Sequence, residues 1–444
     1  MTPGGDDGGP APFVLTGPPP ARETLTGWQQ WRTARGAFQP APRLDRPAWR
    51  ALPPRRRMLY DLHRAATHAN LPLQQTPMSQ VVTRVLRGRI ESNALKHKPS
   101  TRAGVMITGG GYQGKTETAC EVAADFEDAW LELHRHLNPS AMAGTRDLHA
   151  PVAYVQTPVT AKPKSTCKAI LGFYGADTRN MDLPDLVRQV AASIRDHGTK
   201  ALLLDDITRL RMHRADDQDV LDLIRAFMSM HVTLVLIGVD IPGSGLLREG
   251  RHDPRTGQWA FPPSRHAGVH QLEATQTERR FDLVELDRFR YDTPAQITAW
   301  TRHLAGVEQQ LRLMDAGPGM LTGGTMPEYL YRRTNGVVGL LERLIEDGCR
   351  EAVDTGTERL DQALLDSVAL SLPDIHDRDA GAGEIPPIPP APPRAGGSGA
   401  GKRRRGRNSV FDDRGPAAAL DHDPGRQPAA SAGAVAPQPG PAAG

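Results

Sequence analysis

Cysteine is scarce in this 444-residue chain: Cys120, Cys167 and Cys349 stand far apart, with no CxxC pair and no histidine cluster at ligand spacing. That leaves neither a disulfide framework nor a zinc site with support, and the three thiols read as buried apolar fillers. Aromatic residues are only 5 % of the chain, and no uncharged apolar run approaches the about 18 residues a membrane span needs. Mean hydropathy is −0.46. No apolar segment of the secretory type follows the first Met, so the chain is expected in the cytoplasm and away from membranes.

Glycine and proline are abundant, 44 and 39 residues, and they crowd the two ends. Such composition defeats helix and strand alike, so residues 1–52 are expected to form an unstructured arm and residues 373–444 an unstructured tail with a basic block, Lys402–Arg405 and Arg407. Between them, residues 53–292 read as one larger domain with a helical lead and residues 293–372 as a small all-helical domain. The net charge of +3 is unevenly spread: residues 1–100 carry 15 Lys/Arg against 6 Asp/Glu. A basic start points to an anionic partner, although a solvated basic surface has the same composition.

Apolar residues recur at three- and four-residue spacing through Leu59, Leu62, Ala66 and Ala69, and again from Met78 to Leu86, which predicts two helices ahead of the first strand. Short apolar runs at 104–108, 152–155, 201–204 and 233–237 alternate with helical patterns at 116–137, 183–194 and 220–227. Strands alternating with helices imply a parallel sheet covered on both faces. The Pro/Gly/His/Arg-rich stretch from Arg248 to Gln271 has no clear period and reads as an insertion.

The run Gly109, Gly110, Gly111, Tyr112, Gln113, Gly114, Lys115, Thr116 fits the phosphate-binding pattern of Gly, four residues, Gly, Lys, then Ser or Thr. It lies between a predicted strand and a predicted helix, as the mechanism requires. Glycines let successive N–H groups point at phosphate oxygens, the helix N-terminus adds partial positive charge, Lys115 neutralises the β and γ phosphates, and Thr116 offers a hydroxyl to Mg²⁺. Bound magnesium needs a carboxylate from a neighbouring strand, and Leu202–Leu204 delivers Asp205 to that task. Asp206 is then the candidate base or water-orienting group for attack on the γ phosphate, although two aspartates there can equally cap the next helix. Asp240, just past the strand ending at Ile237, can present a polar group beside the γ phosphate or simply form a turn.

The order of these parts, followed by Thr277-Glu278-Arg279-Arg280-Phe281 and by Thr334-Asn335-Gly336-Val-Val-Gly339-Leu-Leu-Glu-Arg343 at the start of a helix, resembles the AAA+ ATPases. Within that superfamily the chain is similar to the TniB-type transposition regulators, relatives of the Mu B protein. The features prompting the narrower match are the helical lead Arg64–Leu86, the strand at 152–158 with Thr160, Lys162 and Lys164 after it, and Thr277–Phe281 ahead of the lid motif.

The resemblance implies an α/β P-loop AAA+ three-layer core with a parallel sheet, a helical lid and disordered tails. It implies ATP and Mg²⁺ as cofactors and an ATPase that forms a homo-oligomer, ring or filament, on duplex DNA without sequence preference and recruits or activates a DDE-type transposase. It also assigns roles. Arg280, or its neighbour Arg279, becomes a finger placed after the last sheet strand and reaching a neighbouring subunit's nucleotide; Arg343 reaches back over the nucleotide; Thr160, Lys162 and Lys164 line a channel and contact DNA phosphates. Asp206 departs from the glutamate usual at its position, which implies slow hydrolysis or a water placed by another group. A different class stays open, a nucleotide-gated signalling or defence scaffold that recruits an effector protein.

Overall fold

A computed structural model describes residues 19–140, 150–159, 162–209, 218–241, 251–253, 258–260 and 279–370. Its centre is a sheet of short, buried strands. In chain order these are β1 (Gly104–Thr108), β2 (Val152–Gln156), β3 (Ala201–Asp205) and β4 (Thr233–Ile237). A two-stranded antiparallel hairpin follows, β5 (Arg251–Asp253) with β6 (Gln258–Ala260), and then β7 (Phe281–Glu285). The main sheet runs β2-β3-β4-β1-β7, parallel throughout. Every residue of β1, β3 and β4 is buried, as expected of strands covered on both faces.

One consequence governs the site. Because all five strands run the same way in close register, their C-terminal ends share an edge: Gln156 lies opposite Asp205, and Thr108 opposite Glu285. A parallel sheet offers its ligand-binding crevice at that edge.

The helices follow from capping and amphipathic spacing. They are α1 (Leu25–Ala34), α2 (Arg46–Ala51) and α3 (Pro54–Ala69), of which the last two meet the lid, and α4 (Pro77–Ala94), α5 (Lys115–Leu137), α6 (Pro163–Phe173), α7 (Leu183–Asp196) and α8 (Gln218–Met228). The lid holds α9 (Pro294–Glu308), α10 (Met326–Thr334), α11 (Val338–Asp354) and α12 (Gln362–Ser367). Thr76 caps α4 through a reciprocal pair with Ser79, and Thr293 caps α9 in the same way with Gln296. Trp28, Val82, Leu86 and Ile90 join the strands in one apolar core, while Trp300, Leu304, Leu330, Leu341 and Leu344 are buried in the lid. The three cysteines are free and buried.

Four expectations are corrected. Residues 1–52 are not wholly an unstructured arm, since α1 and α2 lie inside them. Trp28 is fully buried, and Thr24 and Asp45 cap the two helices by accepting from Gly27 and Ala48 main-chain N–H groups. Lys164 does not stand on a loop: it is the second residue of α6, which Pro163 opens at the position where its missing N–H costs nothing, while Lys162 ends the connection after β2 as the helix cap. The Arg279–Arg280 pair precedes the last sheet strand instead of following it, because Phe281–Glu285 is itself a strand, with the half-exposed pattern of a sheet edge. The insertion contains the β5–β6 hairpin. Residues 371–444 lie outside the described ones, and so does most of the insertion.

Candidate functional site

The turn from β1 into α5 carries the phosphate-loop residues. Gly109 has φ +149°, and a Cβ there would stand 2.2 Å from the main-chain oxygen of Leu286, so only glycine allows the loop to pass this close to the chain leaving β7. Tyr112 at the loop's tip has φ +57° and an exposed ring. Lys115 opens α5 with its side chain turned back into the loop; its Nζ donates to the carbonyl oxygens of Gly109, at 3.2 Å, and Gly110. It is 8 % exposed, and burial pushes its ammonium below the usual lysine range against the pull of Asp205 and Asp206. An ammonium partly stripped of water and held only by carbonyls is primed for an anionic partner.

β3 brings Asp205 to the same place. Thr116 Oγ1 donates to Asp205 Oδ2 at 2.8 Å, across 89 residues of sequence. The carboxylate is 5 % exposed and pinned at both oxygens: Oδ2 also accepts from the Tyr154 hydroxyl at 2.8 Å, and Oδ1 accepts from the Asp206 N–H at 2.8 Å. Burial, then the nearby Asp205 charge, push the Tyr154 phenol well above its ordinary range, so the hydroxyl keeps its proton and donates. Asp206 has φ +52°, a left-handed backbone that aspartate tolerates and that recurs at functional sites. Its Oδ2 accepts from Gln156 Nε2 at 3.2 Å. A half-buried hydroxyl beside a buried carboxylate is a hard-oxygen set of the kind Mg²⁺ takes when substrate phosphates complete its shell. Thr116 and Asp205 therefore fit that ion, and they would hold it beside Lys115.

Asp240 is exposed, with φ +48°, in the turn that follows β4; in the same turn Ile241 N–H donates to Thr108 Oγ1 at 3.0 Å. This puts Asp240 on the edge that carries Thr108 and Asp205. The lid closes over the loop's tip: Gly339 N–H donates to the Tyr112 carbonyl at 2.9 Å, and a Cβ at Gly339 would lie 2.7 Å from that oxygen. A cavity of about 200 Å³ opens between them, lined by Leu73, Gln74, Met78, Tyr112, Val338 and Glu342 among others. A larger cavity of about 510 Å³, between residues 43–45 and 308–318, contains none of the site residues.

Some candidates are not brought to this edge. Arg343 is exposed on α11 and lies 3.8 Å from Asp347, while its neighbour Glu342 lines the cavity. Arg279 is exposed and Arg280 half-buried at the start of β7, a five-residue strand and so roughly 15 Å from the phosphate-loop edge. From there neither arginine serves this chain's own phosphates. Lys162 and Lys164 are exposed; Thr160 lies outside the described residues. Tyr154, Gln156 and Glu342 were not foreseen from sequence. The signal for the first two was the register of β2 on β3, which places them within reach of the acidic pair.

Among the described residues no group of three or more His, Cys, Asp or Glu side chains could by itself hold a metal ion, and no helix is long and apolar enough to cross a membrane. Residues 97–241 match the family model described as an AAA domain, about a third of the chain. No curated protein matches. Solved structures with similar topology include Orc1 of Aeropyrum pernix in complex with DNA, at 13 % identity over 68 % of each chain and TM-score 0.45. Others are Cdc6p of Pyrobaculum aerophilum, at 13 % over 66 % of this chain and 67 % of that one with TM-score 0.40, and AMPPCP-bound DnaA of Aquifex aeolicus, at 13 % over 66 % and 65 % with TM-score 0.34. The strand order β2-β3-β4-β1-β7, the Gly-Lys-Thr turn joining β1 to α5 and the match over residues 97–241 together make this a P-loop AAA+ fold carrying an AAA domain.

Proposed function

We propose that the chain is a magnesium-dependent ATPase switch that assembles with its own copies on duplex DNA and recruits or activates a transposase. The observation that carries the ATPase half is the 2.8 Å bond between Thr116 and Asp205 beside the half-desolvated Lys115, because it joins the two sequence motifs into one phosphate-sized site.

In this reading Lys115 exchanges its two carbonyl partners for phosphate oxygens, which the loop's main-chain N–H groups also meet. Thr116 and Asp205 would hold magnesium, which would supply positive charge to neutralise the phosphates. Asp206, oriented by Gln156, sits where it can accept a proton from or align the attacking water, and Asp240 shares the edge. The base enters the cavity between residues 73–78 and the start of α11, so that the Gly339–Tyr112 contact reports occupancy to the lid. Arg280, or Arg279, stands at the far end of β7 from its own site and is offered to a neighbouring copy's nucleotide, which makes hydrolysis depend on assembly. Arg343 has an exposed position suited to a subunit interface.

The DNA half is supported by exposed Lys162 and Lys164 at the N-terminal end of α6, where helix-end N–H groups also favour phosphate, and by the DNA-bound state of the Orc1 structure with similar topology. The transposition half rests on the resemblance to TniB-type regulators. The test is ATP hydrolysis with and without duplex DNA across a salt series. Stimulation that fades with salt, and is weakened by combining Lys162→Ala with Lys164→Ala while ATP binding is spared, is the expected outcome. Undiminished stimulation in the double variant would remove the α6 lysines from the DNA surface.

A further inference from the structure

Tyr154 does something the phosphate-loop motifs do not encode. It sits in the middle of β2, 3 % exposed, opposite Leu203 of β3 and two residues before Gln156. Its hydroxyl donates to Asp205 Oδ2, the same oxygen that accepts from Thr116. The ring is held from the other side by the N-terminal segment: Trp28 stacks on it with centroids 6.2 Å apart and planes 15° apart, and the Arg22 guanidinium lies over it at 5.5 Å. Arg22 in turn grips Glu117, in the first turn of α5, with two bonds of 2.8 and 3.1 Å. A continuous set of contacts therefore runs from the N-terminal segment through Tyr154 to the carboxylate at the end of β3.

We infer that Tyr154 is a positioning residue for magnesium: its hydroxyl, backed by Trp28 and Arg22, sets the orientation in which Asp205 offers its carboxylate to the ion. This rests on the ATPase reading of the site. A carboxylate on a short side chain has a broad range of terminal rotations. Here Tyr154 and the Asp206 N–H fix both oxygens, one each, so the ion meets an oriented ligand and no ordering is left to do on binding. The plainer account is that Asp205 merely satisfies a buried phenol. The two accounts differ in what the hydroxyl's loss does to magnesium.

The deciding experiment uses the full chain and titration calorimetry with ATP, in EDTA and at graded magnesium concentrations, for the wild type and Tyr154→Phe. The variant keeps the ring and its stack and loses only the donor. The expected result is unchanged affinity in EDTA and a magnesium requirement raised roughly tenfold, the scale on which removal of an outer partner weakens a metal ligand. A magnesium dependence equal to that of the wild type overturns the inference, whatever happens to the melting temperature. If Tyr154→Phe does not fold, Arg22→Gln decides: a rise in the magnesium requirement in the same direction supports the inference, and no change overturns it. Absence of magnesium-dependent binding in the wild type would instead sink the ATPase reading, and the inference with it, so the two failures are told apart by the wild-type trace.

Discussion

The N-terminal segment grips the core with one helix and the lid with another, and the two grips are built on opposite principles. α1 lies along α5 through Arg22, Arg32 and Arg35, which meet Glu117, Glu121, Asp125 and Asp128, carboxylates that are 38–61 % exposed. Its large buried side chain is Trp28, whose indole N–H donates to the enclosed carboxyl of Glu127 at 2.7 Å, a carboxyl that Arg32 also approaches at 3.4 Å. α3 meets the lid in the reverse manner. Arg64 and Glu358 pair at 2.7 Å with side chains 2 % and 6 % exposed, and His68 Nε2 accepts the main-chain N–H of Arg312 at 2.9 Å. Exposed ion pairs are screened and individually weak, so the core grip stands on the tryptophan wedge. The lid grip stands on a charge that cannot lose its partner.

That difference can be broken most sharply at Glu358. Glu358→Ala leaves the buried Arg64 with only the partly exposed Asp61, 2.9 Å from its Nε, and should cost about 3 kcal/mol, read as a lowered urea midpoint. A loss near zero would mean that Arg64 escapes to water and that the pair is not the anchor it looks.

A second separation comes from pH. Burial, then the positive charges of Arg64 and Arg312, push His68 down to about 4. The folded state then excludes a proton that the unfolded chain takes up near its ordinary pKa, so this contribution is whole above about pH 6.5 and is lost as pH falls toward 4. Burial pushes Glu127 the other way, up to about 7, against the Trp28 hydrogen bond and the Arg32 charge. Its contribution is whole below about pH 4.5 and is lost as pH rises toward 7. Each is worth on the order of 3 kcal/mol over its window, with opposite sign, so together they nearly cancel between pH 7 and pH 4.5. His68→Gln should therefore make the protein gain stability on acidification relative to the wild type, and Glu127→Gln should make it lose stability. Parallel shifts in the two variants would contradict the assignment of one titrating group to each grip.

The smallest effect is expected at Arg35. Arg35→Ala removes contacts to Glu121, Asp125 and Asp128 yet should lower stability by no more than about 1 kcal/mol, fading in high salt. A salt-independent loss of several kcal/mol would show that the exposed pairs, not Trp28, hold α1.

The contrast also explains what could be read from the chain alone. The phosphate loop is contiguous, from Gly109 to Thr116, and Asp205 announces itself as an acid at the end of an apolar run, so both were legible where they stand. The lid's helical spacing was equally plain, and α9 to α12 occupy the region expected of it. Tyr154 and Gln156 were not legible, because they act only through the pairing of β2 with β3. The folded part of the N-terminal segment was hidden for the same reason: Trp28 and the three arginines find their partners 86 to 99 residues away, while the local composition of proline and glycine argues for disorder. β7 was overlooked because Phe281–Glu285 is short and carries two acids, the pattern of an edge strand exposed on one face. Arg343, singled out by the resemblance, has an exposed side chain, while its neighbour Glu342 lines the cavity.

The central claim is that Lys115, Thr116 and Asp205 form one magnesium-nucleotide site. Calorimetric titration of ATP into the wild type, Lys115→Ala and Asp205→Ala, each with magnesium and with EDTA, tests it most directly. The account predicts magnesium-enhanced binding in the wild type, none in Lys115→Ala, and in Asp205→Ala a residual affinity that magnesium no longer improves. Binding by the wild type that is indifferent to magnesium, or by Lys115→Ala at wild-type strength, would contradict it.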